Sequence, residues 1–330
     1  MSIRKYLLTL LLLSLAPASR AQSLATLALP NQQSILNERA FFMFPAAAVN
    51  SARATDIMAA DPNANKETRL VFDSGDMRLV FFAQELFQLA DTAQLRRTIT
   101  AADQRTATRT TVLAKTAGLF AVLSTPSTFD AKANAILINS LVVRTADNSL
   151  FSIAAYVNAA GLKKQPEFTA LTTRVFQTLT AGTRINNRAA RVEAVPVFGG
   201  KKKLLVPLPA DFTVTVDQKY DFQVLRFQRY APYGTEKEGT FLLYLGHHPS
   251  FFYGEFGFKA AQAQTVAGNF LGKPVSLMQF HDEGRKIYIR EQQVPGDAIA
   301  DGLVVHLGML SPSPAQLDEF SAIAAGIKVQ

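Results

Sequence analysis

Apolar residues fall at helical spacing in two stretches of the chain. Over residues 165–179, Phe168, Leu171, Val175 and Leu179 occupy positions i, i+3, i+7 and i+11, one stripe of a helix, with Pro166 at its start. Gly182 follows where a left-handed C-terminal cap takes glycine. Near the end of the chain Ser313 offers a cap, Pro314 suits the first helical position, and Gln316 stands three after the serine as in a capping box. Leu317, Phe320, Ile323 or Ala324, and Ile327 carry the stripe onward. Elsewhere the period is two, or the runs are short and apolar, as strands require. "TRLVFDSGDMRLVFF" reads as two strands hinged on Asp73-Ser74-Gly75-Asp76. Further strands are expected at residues 136–143 and 150–157, in "YDFQVLRFQRYAPYG" and "GTFLLYLG", and at residues 286–289 and 303–307.

These elements come in the same order twice. "FQTLTAGTRI" at residues 176–185 and "FSAIAAGIKV" at residues 320–329 are nearly the same ten residues, 144 positions apart, pairing Phe176 with Phe320 and Gly182 with Gly326. The strands before them correspond at a shift of 150, Ile153 with Leu303 and Tyr156 with His306. Each unit opens on an apolar segment with proline, "FFMFP" at residues 41–45 and "LLVPLP" at 204–209. The expected class is α+β: two tandem duplicated domains, each a mostly antiparallel sheet covered by a C-terminal helix. The divisions are a signal segment 1–21, an N-terminal segment 22–37, a first domain 38–185, a linker 186–200 and a second domain 201–330.

The order of an apolar segment with proline, several strands and a closing F-x-x-[LI]-x-A-G-x-[RK] helix resembles the small α/β/α sandwich shared by the PsbP, Mog1 and DcrB groups. The likeness covers both halves as an order of elements, and only the closing helix is similar residue by residue. Because members of that fold mostly act as binding or assembly factors, the resemblance implies a non-enzymatic role and no particular partner.

The N-terminus changes the picture of where the protein works. Arg4 and Lys5 precede an apolar run from Tyr6 to Leu15, and Ser19 and Ala21 are small residues at −3 and −1 of a cleavage site after Ala21. Ser14, Pro17 and Arg20 interrupt the run short of the roughly 18 residues a membrane anchor needs. A periplasmic or secreted protein with no transmembrane anchor after cleavage is expected. The formal charge of +8 falls to +5 once Arg4, Lys5 and Arg20 leave. There are no cysteines, which excludes disulfides, thiolate metal sites and a cysteine nucleophile. Stability must come from burial, and 48% apolar residues allow it.

Candidate chemistry is sparse. No G-x-S-x-G elbow, H-E-x-x-H pair or G-x-G-x-x-G after a strand is present, and "GNFLGKP" at residues 268–274 has Pro274 where a phosphate loop holds Ser or Thr. No cofactor is expected. Basic patches with interleaved aromatics are missing, so nucleic acid is excluded as a partner; Lys201, Lys202 and Lys203 read as a solvated edge. The segment with Arg96, Arg97, Arg105, Arg109 and Lys115 reads as a solvated helix or loop, or as a surface for an anionic envelope ligand. "PSFFYGEFGF" places Phe251, Phe252, Tyr253 and Phe256 in a loop without counterpart in the first half. It either covers the core or presents aromatics to a protein or apolar ligand. The function expected is an exported, non-enzymatic binding or envelope-associated protein. The alternative is a metal-dependent hydrolase using His247, His248, His281, Asp282 and Glu283, which requires two loops to converge.

Overall fold

A computed structural model describes residues 23–50, 68–97, 110–116, 119–126, 128–130, 134–197, 201–218, 221–233, 235 and 239–330. Alternation dictates its strands. In the first half a small sheet has the order β1 (Asn31–Gln33), β2 (Ala40–Phe44), β11 (Thr180–Ala181). The large sheet runs β3 (Val49–Asn50), β4 (Thr68–Ser74), β5 (Met77–Leu89), β10 (Ser149–Asn158), β9 (Ala135–Arg144), β7 (Leu119–Ser124), β6 (Thr110–Thr116), with β8 (Thr128–Asp130) beside β9. Helix α1 spans Gln165–Gln177.

The second half repeats this plan. Its small sheet is β12 (Arg191–Pro196), β13 (Lys203–Leu208), β22 (Lys328–Val329). Its large sheet runs β14 (Phe212–Gln218), β15 (Phe222–Arg229), β17 (Thr240–Gly246), β21 (Val304–Ser311), β20 (Ile287–Pro295), β19 (Lys273–Asp282), β18 (Gln264–Phe270), and α2 spans Pro314–Gly326. Ranked along the chain, both large sheets read first, second, third, seventh, sixth, fifth, fourth, and neighbouring strands are antiparallel. β12 lies within the stretch read as a linker, and β1 within the N-terminal segment.

The α+β expectation is corrected by this architecture. Strand makes up about half of the described residues, and the class is mostly antiparallel β with several sheets, not one sheet under a helix. The core of each half lies between the large sheet and a wall built jointly from the small sheet and the helix. In the first half Phe42 and Phe44 of β2 meet Phe81 of β5 and Phe176 of α1, with ring centroids 5.2 to 6.1 Å apart. In the second, Phe241 of β17 contacts Phe227 at 4.4 Å and Phe320 at 6.1 Å. The expectation failed because strands of two or three residues, such as β1, β11 and β22, are too short to show alternation.

The repeat is real in topology, but its register differs by five residues from the match of Phe176 with Phe320. The helices correspond at a shift of 149, which maps Phe168 onto Leu317, Leu171 onto Phe320 and Val175 onto Ala324, all buried. Polar ties from the strands agree. Asn139 donates to the Thr169 carbonyl and the Thr172 hydroxyl (3.1 and 2.5 Å), and Arg290 donates to Asp318 and Ser321 (2.6 and 3.1 Å), the same two helix positions. Phe176 therefore does not superpose on Phe320, although each ring reaches the phenylalanine of its sheet's third strand. Gly182 follows β11, whereas Gly326 is the last residue of α2, and neither has a positive φ. Gly182 is needed for close approach: its N–H donates to the Arg39 carbonyl at 2.8 Å, and a Cβ there would stand 2.0 Å from the Glu38 carbonyl oxygen. Ser313 does cap α2, but the Gln316 side chain accepts from Gly239 N–H and the Ser311 hydroxyl instead of closing a box.

The halves are joined by more than the chain. β16 (Ala231–Pro232), from the second half, pairs in parallel with Gln88 and Leu89 at the end of β5. Tyr233 N–H adds a bond to the Leu89 carbonyl at 2.8 Å, and the Gln94 amide donates to the Tyr233 carbonyl at 2.6 Å. Gly182→Ala is expected to lower stability by about 1–3 kcal/mol, since the backbone of residues 38–39 must shift. Gly254→Ala, with open space around it, should change stability little; urea unfolding of the two variants makes the comparison.

Candidate functional site

The aromatic loop is folded onto the outer face of the second large sheet, away from α2. Successive side chains alternate across a strand, so Val305, Leu307 and Met309 of β21 enter the core while His306 and Gly308 face outward. Glu291 of β20, 0% exposed, sits beside them. Its carboxylate accepts the backbone N–H groups of Phe252 and Tyr253 at 2.7 and 2.8 Å, and His306 Nε2 lies 2.9 Å away. Phe252 covers Gly308, where a Cβ would come within 2.2 Å of the ring. Phe251 and Phe252 bracket His306 at 5.5 and 5.1 Å, Tyr253 stacks on Phe280 at 4.9 Å, and Arg285 donates to the Phe256 carbonyl at 3.0 Å. Phe251, Phe252, Tyr253 and Phe256 are all half-buried, so much of their apolar surface is spent on the sheet.

The five candidate metal ligands do not come together. Gly246 at the end of β17 pairs with Val304, and Tyr288, the partner of His281, pairs with Ser311. The two histidine loops therefore lie at opposite ends of β21, about 23 Å apart at the rise of an extended strand. His247 Nδ1 is 3.2 Å from the Gly302 carbonyl, and His281 stacks beside Tyr288. Asp282 accepts from Arg285 Nε at 2.7 Å, a bond that holds its carboxyl below the usual aspartate range, and the Glu283 carbonyl closes the turn to Lys286. Among the described residues no group of three His, Cys, Asp or Glu side chains could hold a metal ion. Arg105 and Arg109 lie outside the described residues; Arg96 lies over Phe120 at 5.3 Å.

Two features escaped the sequence reading. The first is a buried polar junction between the halves. Arg39, 7% exposed, clamps Glu85 at 2.7 and 3.3 Å and lies 3.9 Å from Asp147. The Tyr230 hydroxyl, from the second half, donates to the same Glu85 carboxylate. It accepts in turn from the Asn186 amide at 2.6 Å, while Asn186 N–H donates to Asp147 at 3.1 Å. Burial, the largest single influence, would lower the Arg39 pKa, but the Glu85 charge and hydrogen bonds together with Tyr230 and Asp147 outweigh it and the net shift is upward. Burial, then the Glu85 charge, push the Tyr230 hydroxyl well above the usual tyrosine value. For Asp147, burial is outweighed by hydrogen bonds from Thr145, Asn186 and Ser149 and by Arg39, so its carboxyl lies below the usual range. One signal was available: Glu85 is a lone acid within the apolar run "RLVFFAQELFQL".

The second feature is an open groove of about 760 Å³ beside α2. Its floor is Leu208, Phe212 and Ile323, its walls include Val192 and Ala322, and Arg229 and Glu319 close one side with an ion pair at 3.0 Å. Val192 is 66% exposed there. No family model, curated protein or solved structure matches the chain.

Tyr230→Phe is expected to cost about 1–3 kcal/mol near neutral pH, because the buried Glu85 carboxylate loses a donor and the half-buried Asn186 amide its acceptor. Because the folded state holds the Tyr230 proton to higher pH than the unfolded chain, its stabilisation is complete below about pH 10 and declines above it. Urea unfolding from pH 7 to 11 should therefore fall less steeply in the variant. Glu291→Ala should free the amides of Phe252 and Tyr253, giving faster hydrogen exchange there than in the β17–β21 ladder.

Proposed function

We propose that this is an exported binding protein of the cell envelope and that it works through the groove beside α2. The observation that carries the reading is the groove itself. At about 760 Å³ it lies within the roughly 300–1,000 Å³ of ligand sites, and its lining is apolar apart from Arg191, Arg229 and Glu319. Export is supported by the charged, apolar and small-residue order of residues 4–21 and by a cysteine-free composition suited to folding without oxidation. No helix among the described residues is long and apolar enough to cross a membrane. The binding surface moves from the aromatic loop, whose rings are engaged with the sheet, to a surface whose apolar atoms face open space. The hydrolase alternative gains no support from histidine loops at opposite strand ends.

A photo-crosslinking residue at Ala322, in protein expressed in cells with its N-terminal segment intact, should yield an adduct in the exported fraction. The same residue at Gly254 should yield none. Retention in the cytosol, or metal-dependent turnover of ester, phosphate or peptide substrates lost in His281→Ala, defeats the reading.

A further inference from the structure

We infer that the groove takes an extended, aliphatic peptide segment of a partner protein, of the kind that the chain's own residues 23–29 supply to the corresponding flank of α1. This rests on the binding role proposed above and names the class of ligand. In the first half, the residues leading into β1 lie along α1. Leu24, within a short 3-10 turn at Leu24–Thr26, is buried in the first core, and Leu27 and Leu29 pack against it. Glu167 accepts from Leu24 N–H at 3.1 Å and the Ser23 hydroxyl at 3.2 Å, while Arg174 donates to the Ala25 and Leu27 carbonyls at 2.7 and 3.0 Å. The segment is held by leucines from below and by side chains of α1 gripping its backbone.

The second half has the same elements without the same cover. Asn31 pairs with Phe44 as Arg191 pairs with Leu208, so residues 186–190 stand where the chain before β1 stands in the first half. Of these only Ala190 reaches the flank of α2. Asn186 is drawn into the junction by Asp147 and Tyr230, and the Arg188 carbonyl accepts Asp211 N–H at 2.8 Å. At the helix shift of 149, Arg174 corresponds to Ile323, which lies in the groove together with Ala190 and Arg191. The groove is thus the part of that flank, around the Arg174 position, that an aliphatic segment covers in one half and that the junction leaves uncovered in the other; the Glu167 position is Gln316, engaged with Gly239 and Ser311. A floor of Leu208, Phe212 and Ile323 suits leucine side chains, and the Arg229–Glu319 pair stands at the edge where backbone carbonyls and N–H groups of an extended segment would pass.

The test uses the mature protein and a fluorescent peptide of sequence SLATLALP, residues 23–30, read by anisotropy. Saturable binding is expected, with a scrambled peptide bearing serine for leucine binding on the order of tenfold more weakly, the scale of one lost apolar anchor. Ala322→Arg and Val192→Asp, both at exposed groove positions, should weaken binding by at least about tenfold. Ala325→Arg, on the same helix but outside the groove, should not. Thermal unfolding of each variant establishes that it is folded. No binding, equal binding of the scrambled peptide, or equal loss with Ala325→Arg overturns the proposal. So does a dimer of the full protein that Ala322→Arg converts to monomer, since the occupant is then a second copy. A groove crosslink at Ala322 to a partner, with no peptide binding, removes the ligand class and leaves the binding role standing.

Discussion

The Arg39–Glu85 pair cannot stand alone where it is. Both side chains are removed from water at the end of the first core, and a buried ion pair depends on further hydrogen bonds to its charged groups; here they go to the carboxylate, while Arg39 Nε has no partner. Glu85 has one oxygen that accepts from both Arg39 and Tyr230, and Tyr230 belongs to the other half of the chain. Arg39 is fixed from behind, since its carbonyl accepts the Gly182 N–H. The requirement that this carboxylate be satisfied ties the small sheet, the large sheet and the second half to one point. β16 then has a defined place to pair on β5, and residues 186–189 are committed to the junction.

That commitment explains how two halves of equal topology become unequal in surface. A duplicated fold needs the same faces covered twice, but the chain has only one N-terminal segment and one connection. The N-terminal segment covers α1. The connection is taken by the junction, and the corresponding flank of α2 is open. On the outer face of the second sheet the connection from β17 to β18 is itself a cover, anchored by Glu291. In both places a buried carboxylate captures a passing segment, Asp147 at the junction and Glu291 under the loop, and strand order is unaltered.

What was legible in the sequence was local. The stripes of α1 and α2, the strands of β9, β10, β17 and β21 and the recurrence of their order all follow from spacings of a few residues. The register of the repeat was not legible, because the match rested on F-x-x-[LI]-x-A-G, and its two glycines serve different neighbours. Gly182 passes the backbone of Glu38, while Gly326 lies against Pro207. Contacts supplied by the rest of the fold, not the helix's own pattern, placed each one. The class was misjudged for a related reason: the small sheets join residues far apart in sequence, such as Phe41 with Thr180, through strands too short to announce themselves.

The candidate sites divide the same way. The aromatic loop was found because it is a continuous stretch of unusual composition, but composition does not say which way the rings point, and Gly308 and Phe280 settle that they point inward. The histidines lie after β17 and at the end of β19, and whether those two places meet depends on strand direction, which composition does not show. Antiparallel register makes loops alternate between the ends of a sheet, which separated His247 from His281. The groove was invisible for the reason that it is a vacancy. It exists because residues 186–189 go elsewhere, and what sends them there is a tyrosine 44 residues downstream of Asn186. A surface created by the absence of a covering segment can be found only by comparing two copies of the same fold, and this chain carries both copies within itself.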